Sequence, residues 1–254
     1  MIRLEKVSKT FYPPGGNSRN EGLAIPALKE INLTIHPGEY VMIIGANGSG
    51  KSTLLNAIAG TFRPDNGQIY VDGEEISRQP SYQRSRKMAR LFQNPLTGTA
   101  QDLTILENFR LAALRASEKG LRNGIDSKFR TSVADSISTL GMGLENKLKQ
   151  PMGSLSGGQR QALTLLMSTM AECKVLLMDE PCSALDPRSA GVIMKLADSI
   201  IREKRLTVVL VTHRLRDCID YGDRVLVMEE GTIIRDISGN EKSGLTLEQL
   251  MHYF

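Results

Sequence analysis

The 254-residue chain is short of cysteine, of aromatics and of long apolar runs, and each shortage removes a class of protein. Cys173, Cys182 and Cys218 are odd in number and form no C-x-x-C pair. A disulfide framework and a zinc site are therefore not expected, and the usage fits a reducing cytosol. No apolar stretch approaches the roughly 20 residues that cross a bilayer. The start, Met1-Ile2-Arg3-Leu4-Glu5-Lys6, lacks the apolar core of a signal peptide. If the protein works at a membrane, another chain is expected to anchor it. Neither sign of charge is in large excess, since 32 Lys+Arg against 28 Asp+Glu leave a net +4. That is too mild to argue for nucleic acid. The densest basic stretch, Arg78, Arg84, Arg86, Lys87 and Arg90, has only Tyr82 as an aromatic and reads as a solvated surface. Internal repeats and low-complexity tracts are also lacking.

What is present is an ordinary globular composition, 41% hydrophobic and 24% charged, with ample chain for a core. Ile2 and Leu4, and later Ile31, Leu33 and Ile35, alternate with polar residues, which predicts half-buried antiparallel strands. The Pro13-Pro14-Gly15-Gly16-Asn17-Ser18 segment between them reads as a loop. Tyr40–Ile44, Val175–Met178 and Val208–Val211 are continuous apolar runs, as in the central strands of a parallel sheet covered on both faces. Helical spacing marks Gln159–Glu172 and Ser189–Glu203, and Thr104–Gln150 is helix-rich without strand signals, as an inserted lobe would be. Thr246-Leu247-Glu248-Gln249 is a capping box for a short terminal helix.

The chemistry begins at Gly45-Ala46-Asn47-Gly48-Ser49-Gly50-Lys51-Ser52, which fits the phosphate-binding G-x-x-x-x-G-K-[ST] pattern. A strand precedes it and a helix, Thr53–Ala59, follows. Glycines let the backbone curl until successive N–H groups converge on phosphate oxygens, and the helix start adds its positive end. Lys51 is expected to reach the β- and γ-phosphates, and the Ser52 hydroxyl to ligate Mg²⁺. Farther on, an apolar strand ends in Asp179-Glu180, at the strand tip where α/β sheets bind ligands. Asp179 is expected to serve the magnesium ion, and Glu180 to orient or deprotonate the attacking water. Leu155-Ser156-Gly157-Gly158-Gln159 opens a second helix with two glycines, a further start able to grip an anion. One chain with two such helix ends suggests a composite site.

On these motifs the sequence resembles the ATP-binding subunits of ABC transporters, whose signature is L-S-G-G-Q, and the likeness extends over nearly the whole chain. Gln93 matches the family's glutamine loop, which implies Mg²⁺ ligation and contact with the membrane subunit. Ser183-Ala184-Leu185-Asp186 matches its D-loop, and His213 its switch histidine at the γ-phosphate. Phe11 stands where the family stacks an aromatic ring on adenine, with Tyr12 as an alternative. The resemblance implies an α/β P-loop NTPase fold with a mainly parallel core sheet, an N-terminal antiparallel β subdomain and an inserted helical subdomain. It implies one domain, with about 1–95 and 170–254 as catalytic core and about 100–169 as helical subdomain carrying the signature. It also implies a head-to-tail homodimer in which Gly45–Thr53 of one subunit and Ser156, Gly157, Gly158 and Gln159 of the other hold one ATP. Cys182 and Arg214 depart from the usual pattern without removing a catalytic group, so an active ATPase is expected.

Because no transmembrane segment is fused to the ATPase, the resemblance tilts to an importer with separate permease subunits and an extracytoplasmic solute-binding protein. The chain would then sit peripherally on the cytoplasmic face of the cell membrane. The Asn94–Ala100 run, Leu163–Met167 and Ser238–Lys242 resemble a group of bacterial importers, some linked to aromatic amino acid uptake. An exporter ATPase, or an ABC ATPase acting on an assembly without any membrane, remains the alternative. No sustained heptads lie between Lys51 and Leu155, which argues against the coiled-coil DNA-repair type.

Overall fold

In the computed structural model, which describes residues 1–12, 24–94, 96–115, 124–171 and 173–253, the chain separates into two units, Met1–Arg84 with Leu206–Phe254 and Ser85–Arg205. The loop expected at Pro13–Ser18, the Pro95 position of the segment after Gln93, and Glu172 lie outside the described residues.

In the first unit the alternating segments form an antiparallel sheet in the order β2-β1-β4-β5. Its strands are β1 (Ile2–Phe11), β2 (Ile25–Ile35), β4 (Asn66–Val71) and β5 (Glu74–Glu75). Ile2 pairs with Ile35 and Val71, and Leu4 with Leu33 and Ile69, so the apolar residues of three strands share one buried face. On the other face the Arg3 guanidinium lies 4.5 Å from the centre of the Tyr70 ring.

The second sheet region of this unit is built on β3 (Tyr40–Ile44), whose five residues are all buried. Strands β8 (Thr207–Val211) and β9 (Arg224–Glu229) flank it in parallel, and β10 (Thr232–Ser238) returns antiparallel to β9. β8 is as completely buried as β3, the expected mark of strands covered on both faces. Two hairpins turn on a pair of positive-φ residues, Asp72-Gly73 between β4 and β5 and Glu230-Gly231 between β9 and β10. Two-residue turns of this kind match the strand twist, and glycine supplies the second left-handed position without strain. Helices α1 (Lys51–Ala59), α2 (Ser81–Arg84), α7 (Leu215–Asp220), α8 (Gly239–Ser243) and α9 (Leu247–Met251) complete the unit. The Thr246 capping box at α9 forms in both directions.

One sequence expectation fails here. Arg84, read as part of a solvated basic surface, is only 1% exposed. Its guanidinium donates to the carbonyls of Ala57 and Ile58 at the end of α1, and to those of Ser77 and Gln79. A cation at a helix C-terminus meets the negative end of the dipole and satisfies carbonyls the helix cannot. Burial lowers its pKa to about 10, which still leaves it charged at neutral pH. A side chain at Gly60, the left-handed residue that ends α1, would meet Arg84 Nε at 2.6 Å.

The second unit pairs β6 (Met88–Leu91) in parallel with β7 (Val175–Asp179). Its helices are α3 (Ile105–Ala113), α4 (Ser127–Ser138), α5 (Gly157–Met170) and α6 (Pro187–Lys204). Each begins at a side-chain cap: Thr104, Asp126, Ser156 and Asp186. Ile105, Phe109, Val133, Ile137, Leu144, Met152, Leu163 and Met167 pack into one apolar cluster that joins α3, α4 and α5. Between Thr104 and Gln150 the described residues form helices and a single 3-10 turn, as the sequence pattern indicates. Among the described residues no helix is long and apolar enough to cross a membrane.

Candidate active site

β3 ends at Ile44 and the chain turns through Gly45–Gly50 into α1. Three glycines there have positive φ, Gly45 at 147°, Gly48 at 83° and Gly50 at 102°. Two of them are also demanded by packing. A Cβ at Gly45 would lie 2.1 Å from the Met228 carbonyl oxygen, and one at Gly50 2.5 Å from that of Ala27. Gly48 faces open space, so only its backbone angle requires glycine.

The left-handed Gly50 is the N-cap of α1, and no side chain caps that end. No acidic residue occupies the first turn either. Neither a side-chain cap nor an acidic residue of the first turn therefore offsets the positive end of the helix dipole beside Ser52 and Thr53. Ala46, Asn47 and Gly48 are exposed on the crown of the loop. Beneath them Lys51 is buried, its Nζ donating to the carbonyls of Gly45 and Ala46 at 2.8 Å each. Ser49 Oγ is buried with no hydrogen-bond partner. A lysine drawn under a ring of amides is the arrangement for holding a polyphosphate.

His213 belongs to the same unit. It follows β8, and the buried Thr212 donates its N–H to the Ile43 carbonyl at 3.1 Å. The parallel pairing of β3 and β8 puts His213 and the phosphate loop at the same carboxyl end of the sheet, with the imidazole exposed. Phe11 is 40% exposed and makes an edge contact with Phe62, centroids 5.4 Å apart. Lys9 Nζ lies over both rings, at 5.6 and 5.4 Å. Tyr12 is more exposed, at 67%. Phe62 carried no sequence signal, because its partner lies far away in the chain.

The second unit brings the carboxylates together with the glutamine. Gln93 Nε2 donates to Glu180 Oε2 at 3.2 Å. Glu180 has φ of 44°, a left-handed backbone that costs an ordinary residue energy and is concentrated at functional positions. The Ser183 N–H and hydroxyl both donate to the Glu180 carbonyl at 3.1 Å, holding that turn. Gln161, fully buried on α5, donates to the Pro181 carbonyl at 2.8 Å and ties the same turn to the helix. Cys182 is buried, with Sγ 3.7 Å from the Ala190 carbonyl, and so occupies a place in the core. Asp179, one residue before Glu180, faces Arg90, whose guanidinium nitrogen lies 3.6 Å from Asp179 Oδ2. Arg90 is thus a second residue of the basic run that is not a solvated surface group.

Ser156 is the N-cap of α5, its Oγ accepting from the Gln159 N–H while Gln159 Oε1 accepts from the Ser156 N–H. The helix begins at Gly157, two residues before the sequence pattern places it. A Cβ at Gly158 would meet Ser189 at a tight 3.3 Å, and one at Gly157 would meet Leu185 in ordinary contact at 3.4 Å. The starts of α5 and α6 therefore lie side by side, bordering a hollow of about 280 Å³ lined by Ser156, Gly158, Gln159, Arg188 and Ser189 among others. Asp186 caps α6. The Ser189 hydroxyl, and then its backbone N–H, hold the Asp186 carboxyl below the usual carboxylate range.

A magnesium ion demands oxygen donors; the Ser52 hydroxyl in the first unit, and the Gln93 amide and Asp179 carboxylate in the second, are each donors of that kind. Among the described residues no group of three or more His, Cys, Asp and Glu side chains is placed to hold a metal ion.

Comparison with known proteins adds the wider context. The ABC transporter family matches residues 28–183. The tyrosine transport ATP-binding protein of Clostridioides difficile is 36% identical over 254 residues, covering 100% of this chain and 98% of its own length. The phosphonates import ATP-binding protein PhnC of Bdellovibrio bacteriovorus is 33% identical over 240 residues, 92% of this chain and 87% of its own. Among solved structures, the dimeric post-hydrolysis state of the ATP-binding cassette MJ0796 bound to ADP and Pi superposes with a TM-score of 0.79. That match is 28% identical and covers 94% of this chain and 98% of the other.

Proposed function

The chain belongs to the ABC transporter family as an ATP-binding, ATP-hydrolysing subunit, and on that premise we propose that it powers a bacterial importer of a small solute through ATP-driven closure of a head-to-tail homodimer. The observation that carries this reading is the uncapped start of α1 beneath three left-handed glycines, in a chain similar end to end to a tyrosine transport ATP-binding protein. The likeness favours an aromatic amino acid as the solute. The partners are separate permease subunits and an extracytoplasmic solute-binding protein, with no role for nucleic acid. The protein then works on the cytoplasmic face of the membrane, held there by the permease. Residues of about 1–95 and 170–254 act as the nucleotide-handling core, and about 100–169 as the helical part that carries the signature.

In this mechanism the amides of Gly45–Thr53, with Ala46, Asn47 and Gly48 forming the crown and Ser49 beneath it, grip the phosphates, and Lys51 turns from its own loop carbonyls to the β- and γ-oxygens. Phe11 stacks on the adenine. Ser52, Gln93 and Asp179 would hold a magnesium ion, which would offset phosphate charge. Glu180 takes a proton from the attacking water, and His213 stabilises the γ-phosphate oxygens as charge develops. The partner copy contributes Ser156, Gly157, Gly158 and Gln159, with Asp186 fixing the adjacent helix start. ATP favours the closed dimer only through contacts made there, so its hydrolysis removes the bias and the subunits part.

Sizing of the Glu180→Gln variant tests this. With ATP and no magnesium it should shift from monomer to dimer, while its turnover with magnesium falls at least ~100-fold. ATP bound without any shift in size would reject closure by nucleotide alone, and undiminished turnover would reject Glu180 as the base.

A further inference from the structure

Arg90 is a cation close to the candidate site that the mechanism above does not use. It lies on β6 in parallel register with β7, Arg90 opposite Leu177 and Leu91 opposite Met178. Arg90 and Phe92, two residues apart, share a strand face, and so do Leu177 and Asp179. The guanidinium lies over the Phe92 ring, 4.6 Å from its centre, which fixes the side chain from one side. From the other, Asp179 Oδ2 approaches to 3.6 Å. The two charged side chains are only 19% and 13% exposed, too little for solvent to screen them as it screens a surface pair. Burial pulls the Arg90 pKa below its usual value and the Asp179 charge opposes that pull, which leaves an arginine ionised. A carboxylate in such a place is stabilised by a nearby cation, and removal of that cation takes away part of the stabilisation.

We propose that Arg90 is a positioning residue that holds the Asp179 carboxylate in the metal-free state and that a divalent ion must compete with, so that this one side chain sets how strongly the site prefers metal-bound over metal-free nucleotide. The inference rests on the reading of Asp179 as a magnesium-site carboxylate. With magnesium present, two cations share one carboxylate, and the arginine weakens the ion's hold. Without magnesium, the arginine offsets the negative field that would otherwise repel a bare polyphosphate. Both effects act in the same direction on the ratio of the two affinities.

The test measures the dissociation constant of ATPγS for the full-length protein twice, once with excess Mg²⁺ and once in EDTA, and takes the metal-free value over the magnesium value. Neutral replacements, Arg90→Met and Arg90→Gln, should raise that ratio at least about threefold, the scale of one unit charge at this range in a partly solvated site. Arg90→Lys, which keeps the charge, should stay near the parent protein. Asp179→Asn should lower the ratio. If Asp179→Asn lowers it and whichever neutral Arg90 variant folds leaves it unchanged or lower, the inference fails and the Asp179 assignment stands. If Asp179→Asn leaves the ratio unchanged, the Asp179 assignment fails and takes the inference with it. A lysine variant that behaves like the neutral ones would also overturn it, because charge would then not be the cause.

Discussion

Lys51 illustrates how one residue can have a structural and a chemical task at once. Its ammonium bridges two carbonyls of its own loop, at 2.8 Å each, in a site that is nearly closed to solvent. Lys51→Ala should weaken ATP binding about 10- to 100-fold, as expected for loss of charge-assisted hydrogen bonds. Isothermal titration measures this, and unchanged affinity would count against the phosphate cradle. A thermal melt of the same variant separates collapse of the loop from loss of the contact. The residues of this loop are legible in sequence because their spacing is the chemistry: a strand end, glycines that admit left-handed angles, then lysine and serine on the first helical turn. Arg84 and Arg90 are not legible in that way. A basic run looks the same whether solvent or distant carbonyls and carboxylates receive it. Only the folded chain brings Ala57, Ser77 and Asp179 to those guanidinium groups.

At the scale of elements, α1 depends on what stands at its two ends. Its start carries no side-chain cap, and its finish is closed by Gly60 and by Arg84. Arg84→Met should destabilise the fold by about 2–5 kcal/mol, because buried carbonyls lose their donor. For a chain of this size that corresponds to a fall in melting temperature of roughly 5–15 °C. Calorimetry reads it directly, and a change within a degree would mean that water replaces the guanidinium. The central strands were readable from unbroken apolar runs, and α5, α6 and α9 from helical spacing or caps. The β4–β5 and β9–β10 hairpins escaped, although Asp72-Gly73 is a strong local turn signal. β6 is short and holds a charged residue in its middle, so neither alternation nor an apolar run marks it.

For the whole molecule, the decisive question is whether the two phosphate grips act on one nucleotide. Ser156→Arg places a long side chain at the cap of α5, beside the hollow next to α6. It should abolish ATP-dependent dimerisation while leaving nucleotide binding by the monomer within about threefold, a change of under 1 kcal/mol. Light scattering and a binding isotherm on the same sample test both halves. A dimer that still forms with normal affinity would show that the second grip is not supplied by a partner copy.

The sequence by itself determined the fold class and the family, because phosphate binding ties residue type to local backbone geometry at fixed spacing. The tertiary structure decided which cations are buried, that Glu180 adopts a left-handed backbone, and that Gln93 reaches its carboxylate. Several of those features depend on contacts between residues far apart in the chain, such as Gln93 with Glu180 and Arg84 with Ala57. Their energies come from desolvation and pairing, which no local pattern of side chains encodes.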